Sequence, residues 1–260
     1  MKWASIKLLG IAVTGLFIAQ AVPADTLQYN GPAYGPWDSG FTIKDALPTL
    51  LTDSGVASGG FKMTNLSGPT FPVGSSFTAW CVDIYDWLNI SSSGTQYTLQ
   101  TGNNFYSSAQ SYKDTDLERL ASYVFDHSTA AFTNAAWAGG AAANVQSAAF
   151  QLAVWEIVAD NAGHGGYSVT SGDFKVTAGD SNAIVLANNW LGVVNTGSYA
   201  IDQELDVWGK NCTNGCTRDL AAFSPTPIPE PEIYSMLIAG LGLMGFVARR
   251  RKQIDRALVG

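Results

Sequence analysis

The chain has 260 residues, 47% of them hydrophobic and only 13% charged, with a formal net charge of −7 at pH 7. So many apolar side chains exclude an intrinsically disordered chain and are enough for one full core. Between a basic start and a basic end, seven Lys and Arg face 20 Asp and Glu, a balance of about −13 that repels phosphate backbones and excludes nucleic acid as a partner.

Residues 1–24 read as a secretory signal peptide. Lys2 and Lys7 give the positive start, residues 8–19 the short apolar run, and Ala19-Gln20-Ala21 and Val22-Pro23-Ala24 two small-residue cleavage sites, of which the second is favoured. The run is shorter than the ~20 residues a membrane span prefers. From there to about Tyr112, short aromatic and β-branched runs alternate with Gly, Pro, Asn and Ser clusters. The expected strands are residues 27–29, 41–43, 60–63, 76–82 and 96–99.

The period then changes. Leu117, Leu120, Ala121, Val124 and Phe125 form the stripe of a helix capped by Asp114 or Thr115 and ended by His127, a histidine placed to meet the helix dipole. A second helix is expected over about residues 142–160. Its stretch 148–155 is apolar on every face except at Gln151, which predicts burial on most sides. A third helix is expected over 181–193, with strands resuming at 198–201 and near Val207. The fold class is α+β: one compact extracytoplasmic domain over residues 25–222, β-rich in its first half, with two or three helices, plus a short C-terminal transmembrane helix.

Residues 223–232 place proline so often that neither helix nor sheet persists, so they read as an extended spacer. Residues 233–248 are uncharged and stop at Arg249-Arg250-Arg251-Lys252. The fifteen apolar residues from Ile233 to Val247 reach only about 22 Å as a helix, against a hydrocarbon core of ~30 Å. Such a segment inserts with its arginines on the cytoplasmic side, while Gly240, Gly242 and Gly245 weaken it as a permanent anchor. Pro229-Glu230-Pro231, a glycine-bearing apolar helix and a basic cluster together resemble the PEP-CTERM sorting signal of Gram-negative bacteria. The resemblance implies recognition by exosortase, a membrane cysteine transpeptidase. It also implies an inner-membrane-tethered precursor, with residues 249–260 as its cytoplasmic tail, delivered to the cell surface or to an exopolysaccharide and biofilm matrix.

Three cysteines leave one over in an exported chain. Cys212 and Cys216 flank an Asn214-Gly215 turn and are expected to pair as a small-loop disulfide; a metal site there would need further ligands. That leaves Cys81, in a strand-like run, and Gln151, the one polar side chain of an apolar helix. A buried primary amide costs about 1–3 kcal/mol unless its hydrogen bonds are met. One reaction removes both oddities: the thiol attacks the side-chain carbonyl, ammonia leaves, and a thioester remains in a dry pocket walled by Trp80 and Trp155.

Trp80-Cys81-Val82-Asp83 followed by Gln151-Leu152-Ala153-Val154-Trp155-Glu156, with a helix between, resembles the thioester domains of bacterial surface adhesins over about residues 78–159. That resemblance implies a single-use covalent adhesin and not a turning-over enzyme, with no cofactor and no metal. A lysine amine on a surface or matrix target would take the Gln151 acyl group, and Cys81 would leave as thiolate. Asp83, Asp86 and Glu156 are candidates for proton transfer, unranked by sequence. The competing reading keeps Cys81 as a buried free thiol and Gln151 as a backbone-bonded core amide. The protein would then be a non-covalent structural or carbohydrate-binding matrix component using exposed aromatics such as Tyr34, Trp37, Trp87 and Trp137. A secreted hydrolase is disfavoured, because the chain has neither a Gly-x-Ser-x-Gly elbow nor a His-Glu-x-x-His motif, and only two histidines.

Overall fold

A computed structural model describes residues 24–46, 50–86, 88, 90, 92–101, 106, 109–128, 141–160, 166–210 and 219–226. In chain order the strands are β1 (Ala24–Pro32), β2 (Asp38–Asp45), β3 (Leu51–Ser58), β4 (Phe61–Ser67), β5 (Ser76–Cys81), β6 (Thr95–Thr101), β7 (Phe174–Ala178), β8 (Gln203–Lys210) and β9 (Leu220–Pro225). The helices are α1 (Tyr112–His127), α2 (Ala141–Ala159) and α3 (Ser181–Thr196). Six strands close a barrel in the order β1-β4-β5-β9-β8-β6, and three form a separate sheet in the order β3-β2-β7. The molecule is thus mixed α/β and rich in strand, as the sequence indicates.

Alternation builds the barrel strands. In β4, Phe61, Met63 and Asn65 are buried while Lys62, Thr64 and Leu66 are half-exposed, the period of two that puts one face inward. In contrast, α2 has no polar face: every residue from Ala148 to Ile157 is buried. Such a helix must be covered all round. It packs against α1, α3, β5 of the barrel and all three strands of the small sheet, so it joins the two sheets. Two hydroxyl contacts fix its height. Ser58 Oγ donates to the Ala148 carbonyl (3.0 Å), and Ser147 Oγ accepts from the Gly60 N–H (2.9 Å).

The helix ends are set by local chemistry. Asp180 caps α3 through Oδ1, which accepts from the N–H groups of Asn182 and Ala183, and Gly197 closes it in the left-handed region at φ 65°. At α1 the expected cap is corrected. The helix begins at Tyr112 behind Ser111, and Asp114 falls inside the first turn instead of before it. His127 does end α1, where Nδ1 bonds the Tyr123 carbonyl at 2.8 Å and the ring stacks on Tyr123.

The strand expected at residues 198–201 is irregular chain, and β8 starts only at Gln203. The proline-rich spacer also starts later than expected. Residues 223–225 belong to β9, with Leu220 and Ala221 fully buried in the core and Pro225 at the strand's end, where its missing donor does no harm. By internal contacts the chain divides into two units, Met1–Ser224 and Pro225–Gly260. Ala24, the last residue of the expected leader, opens β1 opposite Thr98. Among the described residues no helix is long and apolar enough to cross a membrane. The leader before Ala24, Cys212 and Cys216, Pro229-Glu230-Pro231, the apolar segment 233–248 and Arg249 to Arg251 lie outside the described residues.

Candidate functional site

The ladder between β4 and β5 explains why Cys81 and Gln151 meet. Phe61 of β4 faces Ala79 of β5. Two residues on, the same edge of β5 presents Cys81, but β4 begins at Phe61 and offers it nothing. The side chain of Gln151, reaching across from α2, fills the gap. Its Oε1 accepts from the Cys81 N–H at 2.8 Å and its Nε2 donates to the Cys81 carbonyl at 2.7 Å. A primary amide thus takes the place of a missing strand residue, and both partners are buried, Cys81 at 0% and Gln151 at 1% exposure.

Two consequences follow for reactivity. The amide plane is held in one orientation against the cysteine's own backbone, and a backbone N–H points at the carbonyl oxygen that would gain charge on attack. The thiol is also engaged: Sγ donates to the Asp83 carbonyl at 2.7 Å, and the Asp83 N–H points back at Sγ at 3.4 Å. An aromatic knot locks the register of both residues. Trp80, next to Cys81, meets Phe150, next to Gln151, at 4.5 Å between ring centroids, and Phe150 also packs on Phe125 and Phe223. Of the two expected pocket walls, Trp80 lies in this knot. Trp155 lines an apolar cavity of about 310 Å³ with Trp37, Ile43, Phe61 and Ile84.

The expected proton-transfer residues separate. Asp83 Oδ1 accepts from the Tyr85 N–H at 2.9 Å, closing the turn after Cys81. Glu156 belongs to a buried electrostatic cluster farther along α2. Its Oε1 accepts from the Ser168 N–H at 2.7 Å, and burial first, then Asp160 and Asp45, pushes its carboxyl up to about 8. Lys113 lies in the same cluster, donating from Nζ to the Val158 carbonyl, with burial lowering its ammonium and Asp160 and Asp45 opposing that.

Sequence reasoning missed Asp114. It is 3% exposed, and neither of its carboxylate oxygens has a hydrogen-bond partner among the described residues. Burial, then the charge of Glu118, raises it to about 6. Tyr106 stands in the same neighbourhood, with its phenol raised by burial and then by the charges of Asp114, Asp219 and Cys81. Asp219 in turn is pinned beside the cysteine, since its carbonyl accepts from the Val82 N–H at 3.1 Å. No pattern in the sequence marks Asp114, because an acid in a first helical turn looks like an ordinary dipole or capping residue.

Of the aromatics expected to be exposed, Tyr34 is buried and stacks on Trp80, and Trp37 is half-buried against Tyr29 and Phe61. Trp87 and Trp137 lie outside the described residues. Among the described residues no group of three or more His, Cys, Asp and Glu could hold a metal ion.

Residues 227–252 match the family model of the PEP-CTERM protein-sorting motif. The motif makes exosortase the sorting partner and marks the chain as an exported, membrane-anchored precursor directed to the cell surface. No curated protein and no solved structure matches the chain.

Proposed function

We propose that this exported protein is a covalent surface or matrix adhesin, armed by a thioester between Cys81 and Gln151. The observation that carries the reading is the two-point docking of the Gln151 amide on the Cys81 backbone. It holds the Gln151 carboxamide against the backbone of the residue that carries the thiol, and both residues are buried. In the forming step Sγ bonds to Cδ, the Cδ–Nε2 bond breaks, and the thiol proton leaves with the nitrogen as ammonia. In the coupling step an amine of the target attacks Cδ, the C–S bond breaks, and the amine's proton passes to the departing sulfur. The product is an amide joining Gln151 to its target, made once and not turned over. Exosortase sorting would carry this domain to a surface or exopolysaccharide matrix where amine-bearing targets occur, with Cys212 and Cys216 closed as a small-loop disulfide.

A specific observation also favours the non-covalent reading. The same two hydrogen bonds satisfy the amide as it stands, so Gln151 serves as a strand substitute without any reaction. The intact mass of the purified full chain, beside Cys81→Ala, separates the two. A wild type lighter by one ammonia than its sequence predicts, with a control at full mass, establishes the thioester. A wild type at full mass, with neither a hydrolysed Gln151 nor an amine adduct, leaves a structural matrix protein.

A further inference from the structure

We propose that the cavity walled by Trp37 and Trp155 is a binding site for a small neutral molecule of about two rings that carries a hydrogen-bond-accepting oxygen, such as an aromatic ketone, ester or lactone. The inference goes beyond the adhesin reading and does not rest on it. Its ground is a pair of unmet donors. Trp155 of α2 is 1% exposed, and its indole N–H has no hydrogen-bond partner among the described residues. The indole N–H of Trp37, in the chain before β2, is buried and unmet in the same way. Both rings form part of the wall of one cavity of about 310 Å³. By contrast, Trp208, just as deeply buried, donates from Nε1 to Asp25 Oδ2 at 3.1 Å. A buried indole N–H ordinarily finds an acceptor. Two left unmet around a single space are donors kept for something that enters it.

The lining sets the class of ligand. An apolar cavity of roughly 150 Å³ takes up benzene, so a space of about 310 Å³ suits a molecule of two rings. The wall is built in advance, since Trp37 stacks on Tyr29 and meets Phe61 edge-on, each at 5.7 Å between ring centroids. An indole N–H donates and cannot accept, so the ligand must supply the acceptor, which an ammonium group cannot do. Among the described residues of the lining the one charged side chain is Asp53, whose carboxylate repels a carboxylate or phosphate on the ligand. A neutral carbonyl oxygen on an aromatic body answers all three demands. Ser54, Gly55 and Ile90 belong to the lining and are exposed, so the space opens to solvent beside β3.

The test is equilibrium dialysis of the purified full chain against 2-acetylnaphthalene and against 2-isopropenylnaphthalene, which has the same shape but no carbonyl oxygen. Ala57→Leu, which fills the cavity from β3, serves as the blank for uptake elsewhere on the protein. The wild type should bind the ketone at least about fivefold more tightly than the alkene, the worth of one net hydrogen bond. Trp155→Phe and Trp37→Phe should each lower that preference and leave alkene binding nearly as it was. A cooperative thermal melt reports folding, and Trp37→Phe, at the less buried position, carries the test if Trp155→Phe does not fold. Cys81→Ala should bind both probes as the wild type does, so the outcome is separate from that of the thioester. Equal affinity for ketone and alkene would overturn the role of the indole donors. Uptake of both probes no greater than in Ala57→Leu would overturn the site.

Discussion

Gln151 and Glu156 lie five residues apart on the same buried helix, and the fold treats them in opposite ways. Gln151 is neutral, and its amide is met by one backbone N–H and one backbone carbonyl, a cheap arrangement that leaves its carbonyl carbon chemically ordinary and geometrically fixed. Glu156 is an acid in the interior, bonded to Ser168 and pressed by Asp160 and Asp45, with Lys113 in the same cluster. Burial that merely positions an amide must change the protonation of a carboxyl. One half of α2 is therefore suited to a reaction between neutral groups, and the other half ties α1, β2 and the chain after α2 together through charge.

The most severe way to break that contrast is to remove the cation. Lys113→Met keeps most of the stem's volume but leaves Asp45 and Asp160 without the ammonium that moderates them. A loss of about 3 kcal/mol is expected, read from the urea midpoint at neutral pH. A loss under about 1 kcal/mol would mean that Lys113 contributes no more than a surface cation does, and the contrast between the two halves would shrink.

A smaller effect sharpens the separation of the two halves. Gly172 sits at φ +103°, and a Cβ there would lie 1.9 Å from Asp160 Oδ2. Gly172→Ala should cost about 2 kcal/mol, combining left-handed backbone strain with displacement of the carboxylate. On the thioester reading, methylamine coupling at Gln151 should be unchanged in this variant. A parallel fall in coupling would show that the two halves are mechanically one.

Much of the amide half was legible in the sequence. Gln151 stands out because it interrupts an otherwise apolar stretch, and Cys81 because pairing the other two cysteines leaves it over. The charged half was hidden, since the partners of Glu156 come from α1, β2 and the segment around Ser168, and no local pattern joins them. β3 was missed for a related reason: Leu51–Ser58 is mostly small and polar and carries no clear alternation, and it is a strand because β2 supplies a ladder from Leu51 to Ser58. β9 was hidden by Pro225, which reads as spacer although Leu220 opposite Cys81, Ala221 opposite Trp80 and the next residue, Ala222, are buried. Asp114 was misread because its position predicts a cap, and only the packed fold reveals that the cap lies elsewhere.

The mildest test titrates the contrast. Glu156 is raised from 4.5 to about 8 in the folded protein, so between those values the folded chain keeps a proton that the unfolded chain has lost. Stability must therefore fall as pH rises through that window, by at most about 1.4 kcal/mol per pH unit from this group, and level off above it. Asp114 adds a slope of the same sign between 3.8 and about 6. Glu156→Gln retains an oxygen to accept from the Ser168 N–H and carries no charge at any pH. It should flatten the decline in denaturant midpoint between about pH 6 and pH 8 and keep the decline below pH 6 to which Asp114 contributes. Parallel curves for wild type and variant would mean that Glu156 ionises as a surface acid does. The acid half would then owe its burial to solvation that the packing does not provide, and the distinction between the two ends of α2 would fail.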